Sequence, residues 1–160
     1  MILNAFSLEG KVAVVTGCDT GLGQGMALGL AEAGCDIVGI NIVEPTETIE
    51  RVTALGRRFL SLTADLRQID GIPALLERAV AEFGHIDILV NNAGVHCKKP
   101  IEETTFGDFQ NVIDTHVMAA FTLARAVVPG MKQRQGGSLI FIASTTAFIG
   151  MPNVVAYSTA

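Results

Sequence analysis

The chain has 160 residues, 49% of them hydrophobic, which is enough for one domain with a sizeable core. Its net charge is −5 at neutral pH and no basic cluster offsets it, which argues against nucleic acid or an anionic membrane as a partner. No apolar run reaches the roughly 18 residues that a membrane span needs. The three cysteines show no metal-binding spacing, so we expect reduced thiols, no bound metal and a cytoplasmic protein.

Predicted strands and helices alternate along the chain. Short apolar, β-branched runs predict strands over residues 12–16, 36–41, 58–64, 87–90 and 139–143. Apolar residues at helical spacing, with glycine at the ends, predict helices over residues 21–33, 45–55 and 69–83 and a long one that begins after Thr105. This order predicts an α/β fold, a Rossmann-type doubly wound parallel sheet in a single domain spanning residues 1–160.

The long helix after Thr105 has apolar residues that predict one face turned towards the sheet. These are Phe109, Val112, Ile113, Val117, Phe121 and Leu123. We expect Thr105 to cap its first turn, Pro129 and Gly130 to disturb its end, and the pair Gly136-Gly137 to terminate it.

A glycine-rich segment separates the first predicted strand from the first predicted helix. It reads Thr16-Gly17-Cys18-Asp19-Thr20-Gly21-Leu22-Gly23. Glycines permit a tight turn and let an anion approach the backbone amides, and the helix that follows offers unpaired N–H groups and the positive end of its dipole. Because turns collect glycine anyway, the spacing alone is a weak signal. Its position between a strand and a helix favours a dinucleotide site over a purely structural turn.

Three motifs, in order, resemble the short-chain dehydrogenase/reductase family. They are Thr16-Gly17-x-x-x-Gly21-x-Gly23, then Asn91-Asn92-Ala93-Gly94, and Ser144 thirteen residues before Tyr157. The resemblance implies an oxidoreductase that moves a hydride between a nicotinamide cofactor and a secondary alcohol or ketone of a small-molecule substrate. It also implies that the full-length relative is a homo-oligomer, a dimer or tetramer. Residues 1–94 resemble more closely the members that act on deoxy sugar acids, and beyond Val95 only the general family pattern remains.

The resemblance also implies which residues contact the cofactor. Around the diphosphate these are Gly17, Asp19, Thr20, Gly21, Leu22 and Gly23, and around the adenosine they are Asn41, Asp65, Leu66, Asn92, Ala93 and Gly94. Asp65 either accepts a hydrogen bond from the adenine amino group or simply caps the next helix. Asn92 is as well explained by a structural role as by a direct contact.

The choice between NAD and NADP depends on the end of the second strand. Asn41 stands where a nicotinamide enzyme usually places an acid on the ribose 2′-hydroxyl, and an amide there lacks the charge that repels a 2′-phosphate. Thr20, however, is not the basic residue that NADP-preferring relatives often carry. The segment after Asn41 holds Glu44 and Glu47 and no base, so we expect NAD, with NADP less favoured.

Ser144 and Tyr157 are the catalytic residues that the resemblance implies. In the family a tyrosine exchanges a proton with the substrate oxygen as the hydride moves, and a serine hydroxyl holds that oxygen. A free phenol titrates near pH 10, and the family counters this with a lysine four residues beyond the tyrosine. The chain ends at Ala160, one residue short of that lysine. We therefore expect a truncated enzyme.

Three other functions stay open on this reading. A form that binds a dinucleotide without turnover is one, because the lysine is missing. A nucleotide-sugar epimerase, which uses the same tyrosine chemistry with a different glycine spacing, is another. The third is a purely structural subunit.

Two further features bear on the site and its surroundings. His116 falls where most relatives carry an asparagine that holds a water of the proton relay, and it either replaces that residue or is an ordinary helix histidine. The run Leu139-Ile140-Phe141-Ile142 is apolar on both faces, as in an interior strand, so without a neighbour it is expected to form an exposed sheet edge.

Overall fold

The structure, a computed structural model, describes residues 5–160 and contains one parallel sheet of five strands. The strands are β1 (Val12–Thr16), β2 (Asp36–Asn41), β3 (Phe59–Thr63), β4 (Ile88–Asn91) and β5 (Ser138–Phe141). Their order across the sheet is β3-β2-β1-β4-β5. The chain therefore reverses its direction of travel between β1 and β4, which opens a crevice at the carboxyl ends of these two strands. The predicted α/β fold is confirmed.

Six α-helices connect or follow the strands in the described part of the chain. They are α1 (Gly21–Glu32), α2 (Thr46–Ala54), α3 (Ile72–Phe83), α4 (Phe106–Ile113), α5 (Ala119–Gln133) and α6 (Val155–Thr159). The predicted stop at Gly84 is confirmed, since this residue ends α3 with a φ of 84°. The predicted cap at Thr105 is also confirmed: its hydroxyl oxygen accepts from the Asp108 amide, and the Asp108 carboxylate accepts from the Thr105 amide. Helix α6 was not predicted.

Two apolar layers hold the helices on opposite faces of the sheet. In β1, Val12 and Val14 point into the layer with α3 and α5, whereas Ala13 and Val15 point into the layer with α1 and α2. All four side chains are at most 2% exposed. A strand covered on both faces has no polar alternation, which is why these strands read as continuous apolar runs in the sequence.

A π-helical turn, Asp114–Met118, joins α4 to α5. The prediction that Val117 and Phe121 face the sheet is wrong, since their side chains are 38% and 58% exposed. A π turn holds more residues than an α turn, so each residue after it lies about 100° away from its expected position around the helix. The buried face of α5 is consequently Ala119, Ala120, Leu123, Val127 and Met131. Pro129 lies inside α5, which continues to Gln133.

The continuous helical stretch Phe106–Gln133 is long and apolar enough to cross a membrane, judged by length and composition only. Charged and polar residues interrupt every apolar run of this stretch, so the run length in the sequence does not predict a span. It is weak support for a membrane span, since core helices pass the same test, and several residues of α5 pack in the layer beside α3.

Strand β5 is the edge of the sheet within residues 5–160, and it pairs with β4 alone. Leu139, Ile140 and Phe141 are 38%, 41% and 54% exposed. The expected exposed apolar edge is therefore present in the described part of the chain.

Candidate active site

The glycine turn after β1 is tightly folded against the first turn of α1. Gly17 and Gly21 have φ values of +63° and +59°, a region that side-chain-bearing residues rarely adopt. A Cβ atom on Gly23 would lie 1.9 Å from the Gly17 carbonyl oxygen, so only glycine lets the helix approach the turn this closely. The predicted spacing of glycines thus has a direct steric reason.

The start of α1 leaves its backbone N–H groups available to a ligand. Thr20 precedes the helix with extended backbone, and its side chain makes no capping hydrogen bond. The first turn contains no acidic residue, and the Leu22 side chain is 74% exposed. Uncapped amides and the helix dipole together favour an anion such as a diphosphate, so this turn fits the cofactor that the sequence predicts.

Asn92 braces the crevice between β1 and β4. Its Nδ2 donates to the carbonyl oxygens of Thr16 and Gly17 at 3.0 and 2.9 Å. The Thr16 hydroxyl oxygen in turn accepts from the amides of Asn92 and Ala93 at 3.0 and 2.9 Å. The structural role considered for Asn92 is therefore observed. Thr16 is a contributor to this brace that the sequence analysis did not assign.

Asn41 lies at the end of β2 and turns its side chain towards the glycine turn. Its Oδ1 accepts from the Cys18 amide at 2.7 Å, and the residue is only 4% exposed. On the other side of Cys18, the Thr48 hydroxyl donates to the Cys18 carbonyl oxygen, also at 2.7 Å. Thr48 was missed by the sequence analysis, because nothing in a helix threonine signals a partner 30 residues away.

A cleft of about 380 Å³ opens beside the turn, and Gly17 is among the residues that line it. The residues lining it include Asp19, Asn41, Asp65, Leu66, Ala93 and Gly94, all predicted from the sequence to contact the cofactor. Arg67 also lines this cleft, and the sequence analysis did not assign it a role.

Arg67 is paired within this cleft. Its Nε donates to both Asp65 carboxylate oxygens at 2.9 and 3.0 Å, and a terminal nitrogen donates to the Asn111 Oδ1 at 2.8 Å. These hydrogen bonds from Arg67 lower the pKa of the Asp65 carboxyl. The Asp65 carboxylate in the cleft therefore already accepts hydrogen bonds from the Arg67 guanidinium, which leaves fewer free lone pairs for an adenine amino group.

A second cavity, of about 160 Å³, lies past the ends of β4 and β5. Ser144 and Tyr157, the two residues predicted to be catalytic, both line it. The Ser144 hydroxyl oxygen accepts from the Thr146 amide at 3.2 Å, which fixes the oxygen and leaves the hydroxyl hydrogen free to donate elsewhere. Two residues thirteen positions apart are therefore brought to one small cavity by the turn that follows β5 and by helix α6.

Two imidazoles flank the Tyr157 ring. The His96 ring lies against it with centroids 4.4 Å apart and planes at 33°, and the His116 ring meets it edge-on at 5.4 Å. The π turn places His116 on the cavity wall, and its Nε2 also lies 2.9 Å from the Val95 backbone. This position agrees with both interpretations of the residue, a replacement for the relay asparagine and an ordinary helix histidine that faces a neighbour. The position of His96 against Tyr157 could not be foreseen from its sequence neighbours.

Two buried polar atoms have no hydrogen-bond partner among the described residues and belong to side chains that line the same cavity. They are the Asn91 Oδ1 and the Thr146 hydroxyl oxygen. Buried polar groups are almost always paired with protein, water or ligand. These two atoms are therefore available to hydrogen-bond a ligand or water in the cavity that Ser144 and Tyr157 also line. Within residues 5–160, no group of three or more His, Cys, Asp or Glu side chains is arranged to hold a metal ion.

The sequence profile of the family described as short chain dehydrogenase matches residues 11–160, nearly the whole chain. The chain therefore belongs to the short chain dehydrogenase family, and its fold and the shared cavity of Ser144 and Tyr157 agree with that membership.

Among its relatives, the 2-dehydro-3-deoxy-D-gluconate 5-dehydrogenase of Escherichia coli K12 is 66% identical over 159 residues, which cover 99% of this chain and 63% of that protein. The similarity thus extends past Val95, where the sequence analysis expected a closer likeness to fade.

Solved structures show the same fold with either nicotinamide cofactor. A Mycobacterium paratuberculosis short chain dehydrogenase bound to NAD superposes with a TM-score of 0.90 at 30% identity, covering 96% of this chain and 62% of that one. A Beutenbergia cavernae dehydrogenase with NADP bound at low occupancy superposes with a TM-score of 0.89 at 33% identity, covering 96% and 62%. The chain spans less than two thirds of the length of these relatives.

Proposed function

We propose that this protein is an NAD-dependent oxidoreductase that interconverts a secondary alcohol and a ketone on a deoxy sugar acid. The observation that supports the proposal is the shared cavity of Ser144 and Tyr157, which opens at the carboxyl ends of the strands, as the glycine turn does. The substrate class is supported by the 66% identity to an enzyme named for a deoxy sugar acid.

The glycine turn and the amides at the start of α1 would hold the cofactor diphosphate. Gly17, Asp19, Thr20, Gly21, Leu22 and Gly23 form this region. The adenosine would occupy the 380 Å³ cleft, against Asp65, Leu66, Ala93 and Gly94. When bound, NAD supplies or accepts the hydride.

The charges around the cleft favour NAD over NADP. Arg67 is the one cationic side chain lining this cleft among the described residues, and Asp65 already pairs with it. Asp19 lines the same cleft and would repel a 2′-phosphate, which carries about two negative charges near neutral pH. A cofactor with a free ribose hydroxyl avoids both problems.

Ser144 and Tyr157 would act on the same substrate oxygen. The Ser144 hydroxyl hydrogen, which the Thr146 contact leaves free, would donate to that oxygen and hold it in place. In the reducing direction the Tyr157 hydroxyl donates its proton to the oxygen as the carbonyl carbon receives the hydride, and in the oxidising direction it takes the proton back. His116 would stand in the proton path, because it is on the cavity wall beside Tyr157.

We also propose that the protein is cytoplasmic and forms dimers or tetramers. Exposed apolar side chains on the α4–α5 stretch support assembly, since Phe106 and Phe121 are 98% and 58% exposed. Apolar side chains exposed along one helical stretch offer a surface that a second chain can cover.

The test is a titration of NADH fluorescence combined with a turnover assay on a 2-dehydro-3-deoxy sugar acid. We expect saturable NADH binding and substrate-dependent oxidation of NADH. Tyr157→Phe should abolish turnover while it leaves NADH affinity within about twofold, because the phenol hydroxyl acts only in the chemical step. Tight NADH binding with no hydride transfer in the wild type would instead support a binding module, and no binding would favour a structural subunit.

A further inference from the structure

Cys18 is held from two sides by side chains of other elements, and we call Cys18, Asn41 and Thr48 the turn lock. The Asn41 Oδ1 accepts from the Cys18 amide and the Thr48 hydroxyl donates to the Cys18 carbonyl oxygen, each at 2.7 Å. The Asn41 Nδ2 also lies 3.6 Å from the Cys18 sulfur. Both backbone polar groups of one residue in the glycine turn are thus satisfied by side chains of β2 and α2.

The turn lock is closed to solvent. Cys18 and Thr48 are fully buried and Asn41 is 4% exposed. Water cannot replace a lost partner at such a position without local opening. Losing one of these hydrogen bonds therefore costs more free energy than losing one at the surface. The lock is therefore a buried, hydrogen-bonded point beneath a glycine-rich turn.

The turn lock is packed against β2 and tied to the start of α1. A Cβ atom on Gly39 would lie 2.7 Å from the Cys18 sulfur, which shows how closely the thiol rests on the strand. The Gln24 side-chain amide donates to the Thr48 hydroxyl at 3.1 Å and to the Asp19 carbonyl oxygen at 3.4 Å. The lock consequently connects β2, α2 and the first turn of α1, whose amides face the cofactor site.

The orientation of Asn41 differs from that of a residue presented to a ribose. Its acceptor oxygen is occupied by the Cys18 amide, and the side chain points under the turn. We propose that Asn41 and Thr48 are positioning residues, which hold Cys18 and so keep the glycine turn in the shape that receives the dinucleotide diphosphate. This inference rests on the proposed function.

The physical benefit is preorganisation. A turn that is already ordered loses little conformational entropy when a ligand binds, whereas a loose turn must be ordered at the expense of affinity. Removing one contact of the lock should therefore weaken cofactor binding even though neither side chain needs to touch the cofactor.

Thr48→Val is the main test variant, because it removes the hydroxyl and keeps the branched shape. Thr48→Ser restores the hydroxyl and serves as the rescue. Thr53→Val is the matched control: Thr53 lies on the same helix and its hydroxyl donates to the Ile49 carbonyl oxygen at 2.8 Å, but it is exposed and remote from the turn. We expect the NADH dissociation constant at 25 °C to rise about tenfold in Thr48→Val, because this variant loses the buried hydrogen bond to the Cys18 carbonyl oxygen together with the one accepted from Gln24. Thr48→Ser and Thr53→Val should stay within about twofold of the wild type.

Amide hydrogen exchange provides a readout that needs no cofactor. In Thr48→Val, and in Asn41→Ala as a second variant, the peptide covering residues 17–23 should exchange about tenfold faster, while peptides of β1 and β4 keep their protection. A general loss of stability would instead raise exchange throughout the sheet.

Three results would overturn the proposal: wild-type NADH affinity in Thr48→Val, unchanged exchange of residues 17–23, or an equal loss of affinity in Thr53→Val. A wild-type protein that binds no NADH would overturn the proposed function and the cofactor role of the lock together. The exchange comparison would then still show whether Asn41 and Thr48 order the turn, so the two failures are distinguishable.

Discussion

The imidazole of His116 meets the phenol ring of Tyr157 edge-on, with ring centroids 5.4 Å apart and ring planes at 83°. The same imidazole binds the segment that follows β4, since its Nε2 lies 2.9 Å from both the amide nitrogen and the carbonyl oxygen of Val95. One ring nitrogen accepts from an N–H or donates to a carbonyl, but does not do both at once. His116 therefore satisfies one Val95 group at a time while it forms the cavity wall beside Tyr157.

Asparagine at position 116 should preserve the site, because its amide offers a donor and an acceptor together. We expect His116→Asn to keep turnover within about threefold of the wild type, whereas His116→Ala removes the one hydrogen bond that His116 makes to Val95 and lowers the free energy of unfolding by about 1–3 kcal/mol. Urea unfolding and NADH-dependent turnover measure the two effects. If the alanine and asparagine variants had the same turnover and the same free energy of unfolding, the Val95 contact would contribute to neither.

Gly94 leaves room for the His116 ring, and alanine there should destabilise the protein. An added Cβ atom would lie 2.3 Å from the His116 Cε1, so the ring or the backbone must move. We expect Gly94→Ala to cost about 1–3 kcal/mol of unfolding free energy. The cost should be much smaller when His116→Ala is present, a coupling that a double-mutant cycle by urea unfolding measures.

A matched control for this steric effect is Gly29→Ala. Gly29 lies within α1, and an added Cβ atom there would have no heavy atom within 4 Å. Alanine is a better helix former than glycine, so this variant should be neutral or more stable by up to about 1 kcal/mol. Destabilisation of both glycine variants to the same extent would point away from the His116 contact as the cause.

Asp108 should contribute to acid sensitivity. Hydrogen bonds from Lys99, and then from Thr105, lower the pKa of its carboxyl to about 2. Because the folded-state pKa lies below the unfolded value of 3.8, the stabilisation is present above that value and is lost as the pH falls towards 2. Thermal unfolding between pH 5 and pH 2 should therefore show a shallower decline below about pH 4 for Asp108→Asn than for the wild type.

Glu102→Gln removes an exposed acid from the preceding turn and serves as the charge control for Asp108→Asn. It should leave the pH dependence of the melting temperature close to that of the wild type. A flatter profile in both variants would show that general charge, and not the cap at Thr105, sets the response to acid.

The three thiols should differ in reactivity. Burial raises the pKa of the Cys18 thiol, and likewise that of Cys35, to about 11, so both stay protonated at pH 8, and both are buried. Cys97 is partly exposed. Since the thiolate is the reactive form, iodoacetamide at pH 8 should add one label to the native protein, at Cys97, and three after unfolding in urea. Rapid native labelling of Cys18 would contradict the closed turn lock.

The sequence by itself determined the features that depend on neighbouring residues. Buried parallel strands are covered on both faces, so their continuous apolar runs were recognisable, and every strand begins and ends within two residues of its predicted bounds. The stop at Gly84 and the cap formed by Thr105 and Asp108 are equally local, because they follow from backbone angles and from a side chain reaching three residues along the chain.

Only the tertiary structure decided which face of α5 is buried and where Asn41 points. Phe121 is exposed because a π turn precedes it, and no local sequence pattern predicts this turn. The π turn is compatible with the packing of two helix segments on one sheet. Asn41 has a partner 23 residues away at Cys18, and Thr48 has the same partner from the other side. Contacts of this kind depend on which elements the fold brings together, so a pattern of neighbouring residues does not predict them.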